Sequence, residues 1–418
     1  MSFDIKKRHE KKKNNNVIIT WNSLENYAQQ NIGLTQPCGK TQKKLPLHIL
    51  DFRTNDEPLT VSKNQKMADI GTLFTFVFIL LITLYALTEF LYKSLQKKFN
   101  QESASKTQSE QVLTNPQFIS FQRSYFVVYF CFLLADWLNA PYHYKVYNEF
   151  KYMREQIAVI YVCGYIASVL FSPIALTLPD KYGRKTLVTL AAIVYCTASM
   201  LKCCNSYLAL LLSRIFAATS SRVLFSACES WYIYEHLESY DFPSEWVGYT
   251  LDQTSKWNGW FSLASGLIGY FFADVFGFHA YFPSILAGIC LLIGLALSQS
   301  RWRENRGSGK NVKVSRILRD GLKAIFKKKH VFKLGLIQAL VEGVVYIFVF
   351  LWTPTLILLF EDSGEGKSIP IGIIFATFMA ATMIGAKGCK IWSSFCRKSE
   401  NDVLLYRVIF LKCYILGK

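Results

Sequence analysis

Apolar residues fall into ten runs along the chain, each close to the roughly 20 residues that a helix needs to cross a bilayer. They cover residues 70–92, 124–142, 156–178, 186–203, 207–229, 257–276, 281–299, 331–359, 370–388 and 403–416. Polar stretches, most of them short, separate them. One such run would also fit a helix buried in a soluble protein, but ten in succession predict an all-α protein that spans a membrane many times. Ahead of the first run, residues 1–66 are polar and rich in lysine, as in "KKRHEKKKNNN". That composition predicts a disordered basic tail. The first 30 residues lack the apolar segment of a signal peptide. Met67 opens the first strong run and offers an alternative start of the chain.

The basic residues orient these runs. Loops 93–123, 179–185, 230–255, 300–330 with Lys333, and 387–402 together carry 24 lysines and arginines; those on the other face, the tail aside, carry 5. The positive-inside bias therefore places the first set in the cytosol. The tail adds 12 basic residues to the outer face. Long tails obey the rule poorly, and a start at Met67 removes the conflict. The densest basic stretch, 301–330, spaces Ile317, Leu318, Leu322 and Ile325 as an amphipathic helix on the inner leaflet would, with a solvated connector as the alternative.

Composition agrees with a membrane setting. Of 418 residues, 51% are hydrophobic and 18% charged, where soluble chains average about 25% charged. The net charge of +18 would also suit a nucleic-acid partner, but no basic domain interleaved with aromatics lies outside the runs, so none is expected. The 11 cysteines are scattered, mostly inside apolar runs, without metal-ligand spacing. No zinc-protease, phosphate-loop or nucleophile-elbow motif is present. Neither an enzyme nor a cofactor or bound metal is expected.

Two features carry candidate chemistry. The first is the turn in "ALTLPDKYGRKTLVTL", with Asp180, Gly183, Arg184 and Lys185 between two apolar runs. Gly183 permits a tight turn, Arg184 and Lys185 can anchor to the inner leaflet or to helix C-termini, and Asp180 can pair with a base or cap the next helix. Such a turn can lock helix bundles in one conformation and release them in another; a topogenic loop is the plainer alternative. The second feature is charge inside apolar runs, where five residues stand out: Asp136, Arg214, Arg222, Glu229 and Glu342. Charge at bilayer depth is costly, so each marks a candidate site. At 1.5 Å per residue, Asp136 lies on the order of 18 Å from the inner end of its helix and Arg214 roughly 10 Å below the outer face. In a core about 30 Å thick these depths coincide, which predicts that Asp136 and Arg214 pair. Arg222 stands eight residues beyond Arg214, about 80° round the helix, so both can face the interior. Glu342 falls near the middle of its helix and Glu229 near the cytosolic end of its own.

The order Asp-Lys-x-Gly-Arg-Lys at 180–185 resembles the loop between the second and third helices of the major facilitator superfamily, although Leu176 stands where that pattern has glycine. The stretches "ADWLNAPYHYKVY", "EQIAVIYVCGY", "FSACESWYIYEHLESYDFPSEW" and "IQALVEGVVYIFVFLWTP" resemble the molybdate-anion transporter family. With the runs between them they cover roughly residues 70–390. The resemblance implies an all-α, major-facilitator-type bundle with an extra span at 67–123, core helices one to six within 124–299, a basic cytosolic connector at 300–330 and a partial C-terminal bundle at 331–418. The stretch "GAKGCKIWSSFCRKSE" departs from the expected second copy of the charged turn, and three helices of the twelve are wanting. A truncated or alternatively spliced C-terminal half is therefore expected.

The same resemblance implies import of molybdate or a related oxyanion by alternating access, at the plasma membrane. Arginine suits an oxyanion, because its planar fork donates without accepting. Arg222, Arg214 and Asp136 become the candidate substrate-binding residues. Glu342 and Glu229 become candidates for proton coupling, since a carboxylate near a dianion repels it unless protonated or paired. For the Asp136–Arg214 pair, a purely structural role in bundle packing is the alternative. An organic solute or sugar carrier, or a transport-inactive membrane scaffold or regulator, are the alternative functions.

Overall fold

The computed structural model of the chain describes residues 63–100, 115–175, 178–306, 325–361 and 369–396, together with positions 319, 321 and 323. The basic tail as far as residue 62, the amphipathic positions Ile317, Leu318 and Leu322, and the final apolar run at 403–416 lie outside the described residues. The described residues are helical throughout, without a strand. In chain order the helices are α1 (Lys63–Asn100), α2 (Pro116–Leu138), α3 (His143–Glu149), α4 (Arg154–Ala175), α5 (Leu178–Tyr182), α6 (Arg184–Leu201), α7 (Tyr207–Tyr234), α8 (Ser244–Gly269), α9 (Phe282–Arg301), α10 (Lys329–Glu361) and α11 (Ile371–Cys396). Helices α7 and α8 each run on into a π turn, Glu235–Ser239 and Tyr270–Val275.

Seven helices among the described residues, α1, α2, α4, α7, α9, α10 and α11, are long and apolar enough to cross a membrane. The other two long helices, α6 and α8, match apolar runs of the sequence at 186–203 and 257–276. They start on charge, Arg184 and Lys185 in one and Glu245, Asp252 and Lys256 in the other. Helix α2 begins eight residues before its apolar run. Asn115 caps it, accepting hydrogen bonds from Gln117 N and Phe118 N, and Pro116 fills the first position. Both are strong helix-start signals that a hydropathy reading ignores.

Helix α7 packs against α6 and α4, α9 against α2 and α6, and α8 against α2. Their shared core includes Tyr125, Val128 and Phe132 of α2, Val188 of α6, Leu224 and Ala227 of α7, and Leu291 of α9, all fully buried. Helix α11 packs along α8, and α1 packs along α11. Phe78, Leu81, Ile82 and Tyr85 of α1 cover Leu263 of α8 and Met383 of α11. Tyr85 meets Trp260 edge-on at 5.5 Å, and Glu89 pairs with Lys387, whose ammonium also sits 4.9 Å over the Tyr92 ring. The extra helix is thus fastened to both α8 and α11.

At the end of the bundle away from the charged turn, Asp274 in the second π turn joins three segments. Its Oδ2 accepts from Tyr142 Oη at 2.6 Å and from Gly372 N at 3.1 Å, and its Oδ1 accepts from Lys145 Nζ at 2.9 Å. Tyr142, Tyr144 and Ile157 pack there with Phe350 and Trp352 of α10 and Ile371 of α11. At the same end α8 and α11 come close enough that a Cβ on Gly372 would lie 2.5 Å from both Gly266 O and Tyr270 N.

Candidate functional site

A cavity of about 620 Å³ runs between α2, α4, α6, α7, α8 and α10, from Asn139 and His143 at one end to Ile233 at the other. Four of the five charges singled out in the sequence, Asp136, Arg214, Arg222 and Glu229, line it. Three of them share one helix. Eight residues from Arg214 to Arg222, and seven more to Glu229, keep them on related faces of α7.

Asp136 and Arg214 reach the same cavity, as their depths require, but the expected pair between them does not form. The carboxylate is taken by α6 instead: Tyr195 Oη donates to Asp136 Oδ1 at 2.5 Å. Arg214 lies back against α4, with its guanidinium 4.8 Å over the Tyr161 ring and 5.6 Å over Tyr165. Gly164 makes room for this, since a Cβ there would stand 2.6 Å from Arg214 Cγ. Cation–π contact in a desolvated site holds an arginine without spending its charge on a carboxylate. Arg214 also meets His143 Nε2 through its Nη1 at 3.2 Å. Arginine only donates, so this nitrogen accepts and the ring proton sits on Nδ1, toward Ala140 O at 3.4 Å. Burial first, then the Lys202 and Arg214 cations, pushes His143 well below the usual histidine range, so the ring stays neutral.

Arg222 spans two walls. Its Nε donates to Ser168 Oγ of α4 and its Nη2 to Tyr346 Oη of α10, each at 3.2 Å. Glu229 lies toward the end marked by Ile233. Glu342 lies outside the cavity: it is one turn before Tyr346 on α10 and accepts from Gln338 Nε2 at 2.6 Å. Lys202, a loop cation by its place at the end of an apolar run, is a buried residue near the Asn139 end of the cavity. Its side chain is 1% exposed and donates to Asn139 Oδ1 at 2.6 Å. Asn139 in turn donates to Ser199 Oγ. Asn258 on α8, whose amide lines the cavity beneath Trp137, is a second buried polar residue. Both lie inside apolar runs, at 186–203 and 257–276, but no motif marks either residue, and packing brings them in.

The charged turn lies apart from the cavity's polar centre. Gly183 is the N-cap of α6 with φ +97°, and a glycine cannot cap with a side chain. Glu304, just past the end of α9, does so from outside. Its Oε1 accepts from Lys185 N at 3.1 Å, and its Oε2 accepts from Thr186 N at 2.8 Å and Thr186 Oγ1 at 2.5 Å. Lys185 Nζ donates to the carbonyls of Gln299 and Trp302 at the C-terminus of α9, at 3.0 and 2.8 Å. Arg184 lies 4.5 Å over the Tyr234 ring and donates from its backbone to Asn305 O at 3.1 Å. Asn305 donates to Glu235 Oε1 at 2.8 Å. Each of these partners belongs to the end of α7 or to the segment around the end of α9. The turn therefore stitches the first set of helices to itself. Of Asp180 only the backbone is described.

Residues 91–416 match the family described as sugar transporters with 12 transmembrane spans. The chain belongs to this family. It is 36% identical over 311 residues to the molybdate-anion transporter of Xenopus tropicalis, covering 74% of this chain and 65% of that protein. It is 37% identical over 278 residues to the Xenopus laevis protein of the same name, covering 66% and 59%, and 33% identical over 300 residues to the Danio rerio one, covering 66% and 61%. It thus spans less than two thirds of the length of these relatives. Among solved structures, a mutant of the nucleoside transporter NupG shares the fold with a TM-score of 0.53 at 13% identity, covering 71% of this chain and 80% of that one. A multi-pass helical membrane protein of the major facilitator type, expected from the apolar runs and the quoted stretches, is what these matches show.

Proposed function

We propose that this chain is a secondary transporter, or the larger part of one, that carries molybdate or a related oxyanion across a membrane by alternating access. The observation that carries the reading is the pair of guanidinium groups, Arg214 and Arg222, lining one cavity with no carboxylate bound to either among the described residues. Asp136, the one acid deep in that cavity, is held on the Tyr195 hydroxyl. The site therefore presents donors, two guanidinium groups among them, to a ligand rich in acceptor oxygens. The names of the Xenopus and Danio relatives support molybdate as that ligand.

Arg222 is the primary anion contact, Arg214 a second, and Asp136 positions the wall between them through Tyr195. Glu229, toward the basic end of the cavity, is the carboxylate placed to exchange protons as the anion passes. Glu342, outside the cavity, has no part in binding. The Asp274 cluster, which ties the segments after α2 and α8 to the start of α11, supports reading this as a state closed at that end and facing the basic side, cytosolic by the loop charges. The charged turn holds α6, α7 and α9 together as one body during the cycle. Molybdate uptake by cells expressing the chain tests this: Arg222→Ala should cut uptake at least tenfold with surface levels unchanged, and undiminished uptake would remove the arginine from the site. A neutral hydroxylated solute is the second reading, favoured by the tyrosines Tyr129, Tyr161 and Tyr165 on the cavity wall; competition by sugars but not by oxyanions would select it.

A further inference from the structure

Asn258 lies on α8, 3% exposed, in the wall of the cavity that the arginine helix also lines. Its Oδ1 accepts from Trp137 Nε1 of α2 at 2.8 Å. An indole N–H can only donate. The oxygen of the amide must therefore face Trp137, and the NH₂ group must face the other way. That Nδ2 atom is buried and makes no hydrogen bond among the described residues. Buried amide hydrogens are almost always paired, and leaving them unmet carries a free-energy penalty. The neighbouring hydroxyls on the same wall do not share this property: Thr254 Oγ1 and Ser255 Oγ both donate to Leu251 O, at 2.8 and 3.1 Å. Asn258 thus holds unspent N–H donors in the wall of a cavity that two guanidinium groups also line.

We infer that Asn258 is a further oxyanion contact, a neutral donor on α8 beside Arg222 on α7, and that Trp137 is its positioning residue. The inference rests on the oxyanion reading given above. It adds that the ligand is gripped from two helices at once, charge from one and amide hydrogens from the other. The indole acts at one remove. By occupying the amide oxygen it prevents the flip that would turn an acceptor toward the anion and repel it.

The test uses the full chain purified in detergent, with molybdate as the probe and ligand-induced thermal stabilisation as the readout of affinity, alongside uptake in cells. Asn258→Ala should weaken molybdate binding about tenfold. Asn258→Asp, which keeps an acceptor for Trp137 but turns a charged oxygen toward the anion, should weaken it at least a hundredfold. Trp137→Phe should weaken binding several-fold in the native background and have no further effect on affinity in the Asn258→Ala background. If Asn258→Asp fails to accumulate, Asn258→Ser, small and neutral, stands in for it and should behave like Asn258→Ala. Unchanged affinity in Asn258→Ala beside lost affinity in Arg222→Ala would overturn the inference and leave the oxyanion reading standing. Lower melting temperatures in both backgrounds with affinity untouched would reduce Trp137 to packing and overturn its positioning role. Absence of any molybdate stabilisation in the unsubstituted protein would sink the oxyanion reading and this inference together.

Discussion

Asp274 offers the sharpest conformational prediction, through the substitution Asp274→Asn. Its carboxylate, 3% exposed, binds Lys145 across 2.9 Å while accepting from Tyr142 Oη and from Gly372 N. Tyr142 and Lys145 follow α2, Asp274 follows α8, and Gly372 opens α11, so the contact exists only while these helices meet at this end. Asparagine has nearly the same shape but one acceptor instead of two. Whichever way the amide turns, an NH₂ group faces either an ammonium or a hydroxyl and a backbone N–H that need an acceptor. Losing one charge-assisted hydrogen bond costs about 1.5–3 kcal/mol, and setting donor against donor keeps the loss at the upper end of that range. At about 1.4 kcal/mol per tenfold change, a loss of about 3 kcal/mol moves the balance between closed and open arrangements at this end by roughly a hundredfold. Spin labels at Asn148 and Leu359, both exposed near that end, would report it. The substituted protein should gain a longer-distance population that the native protein lacks. An unchanged distance distribution together with a lower melting temperature would refute the reasoning, because it would mean that Asp274 stabilises both arrangements equally.

Three further outcomes follow from the contacts. Glu304→Ala removes the external cap of α6 and should lower stability by about 1 kcal/mol, the ordinary worth of a helix cap, measured as a lower melting temperature with molybdate affinity unchanged. Gly164→Ala should weaken molybdate uptake and Gly164→Val should abolish it, since even the first added carbon lies 2.6 Å from Arg214 Cγ; normal uptake by the valine variant would show that Arg214 is free to sit elsewhere. Glu89→Lys and Lys387→Glu should each loosen the extra helix and lower the melting temperature, while the two together restore it, because the pair is largely shielded and a lone charge there is unmet.

What the sequence disclosed follows the reach of each signal. Long apolar runs report burial in lipid or core regardless of neighbours, so nine of the ten expected spans appear as long helices, while the tenth lies outside the described residues. Depth along a helix is also a local quantity, and Asp136 and Arg214, expected at similar depth, line one cavity. Partners are not local. Tyr195 is 59 positions from Asp136, and nothing in the run around it marks a hydroxyl aimed at a carboxylate. Arg214 turned to aromatic faces because Gly164 lacks a side chain, a fact written on another helix. Lys202 has the address of a loop residue and the burial of a core one. Glu342 looked central from its position in α10, but the cavity is lined by Tyr346, one turn further on, and not by Glu342.

The close approach of Gly266 and Gly372 has a consequence for how such a molecule moves. Most helix contacts are toothed: side chains interlock, and sliding one surface over another means lifting many rotamers out of register at once. Between α8 and α11 main chain rests on main chain, and further along the same pair a Cβ on Gly259 would lie 2.9 Å from Cγ of the pliable Met383 side chain. A seam of this kind works as a smooth bearing. Where main chain meets main chain, fewer side chains interlock against a roll of one helix on the other, and polar contacts tie the pair at its two ends, Asp274 with Gly372 at one and Lys390 with Asp252, 2.7 Å apart, at the other.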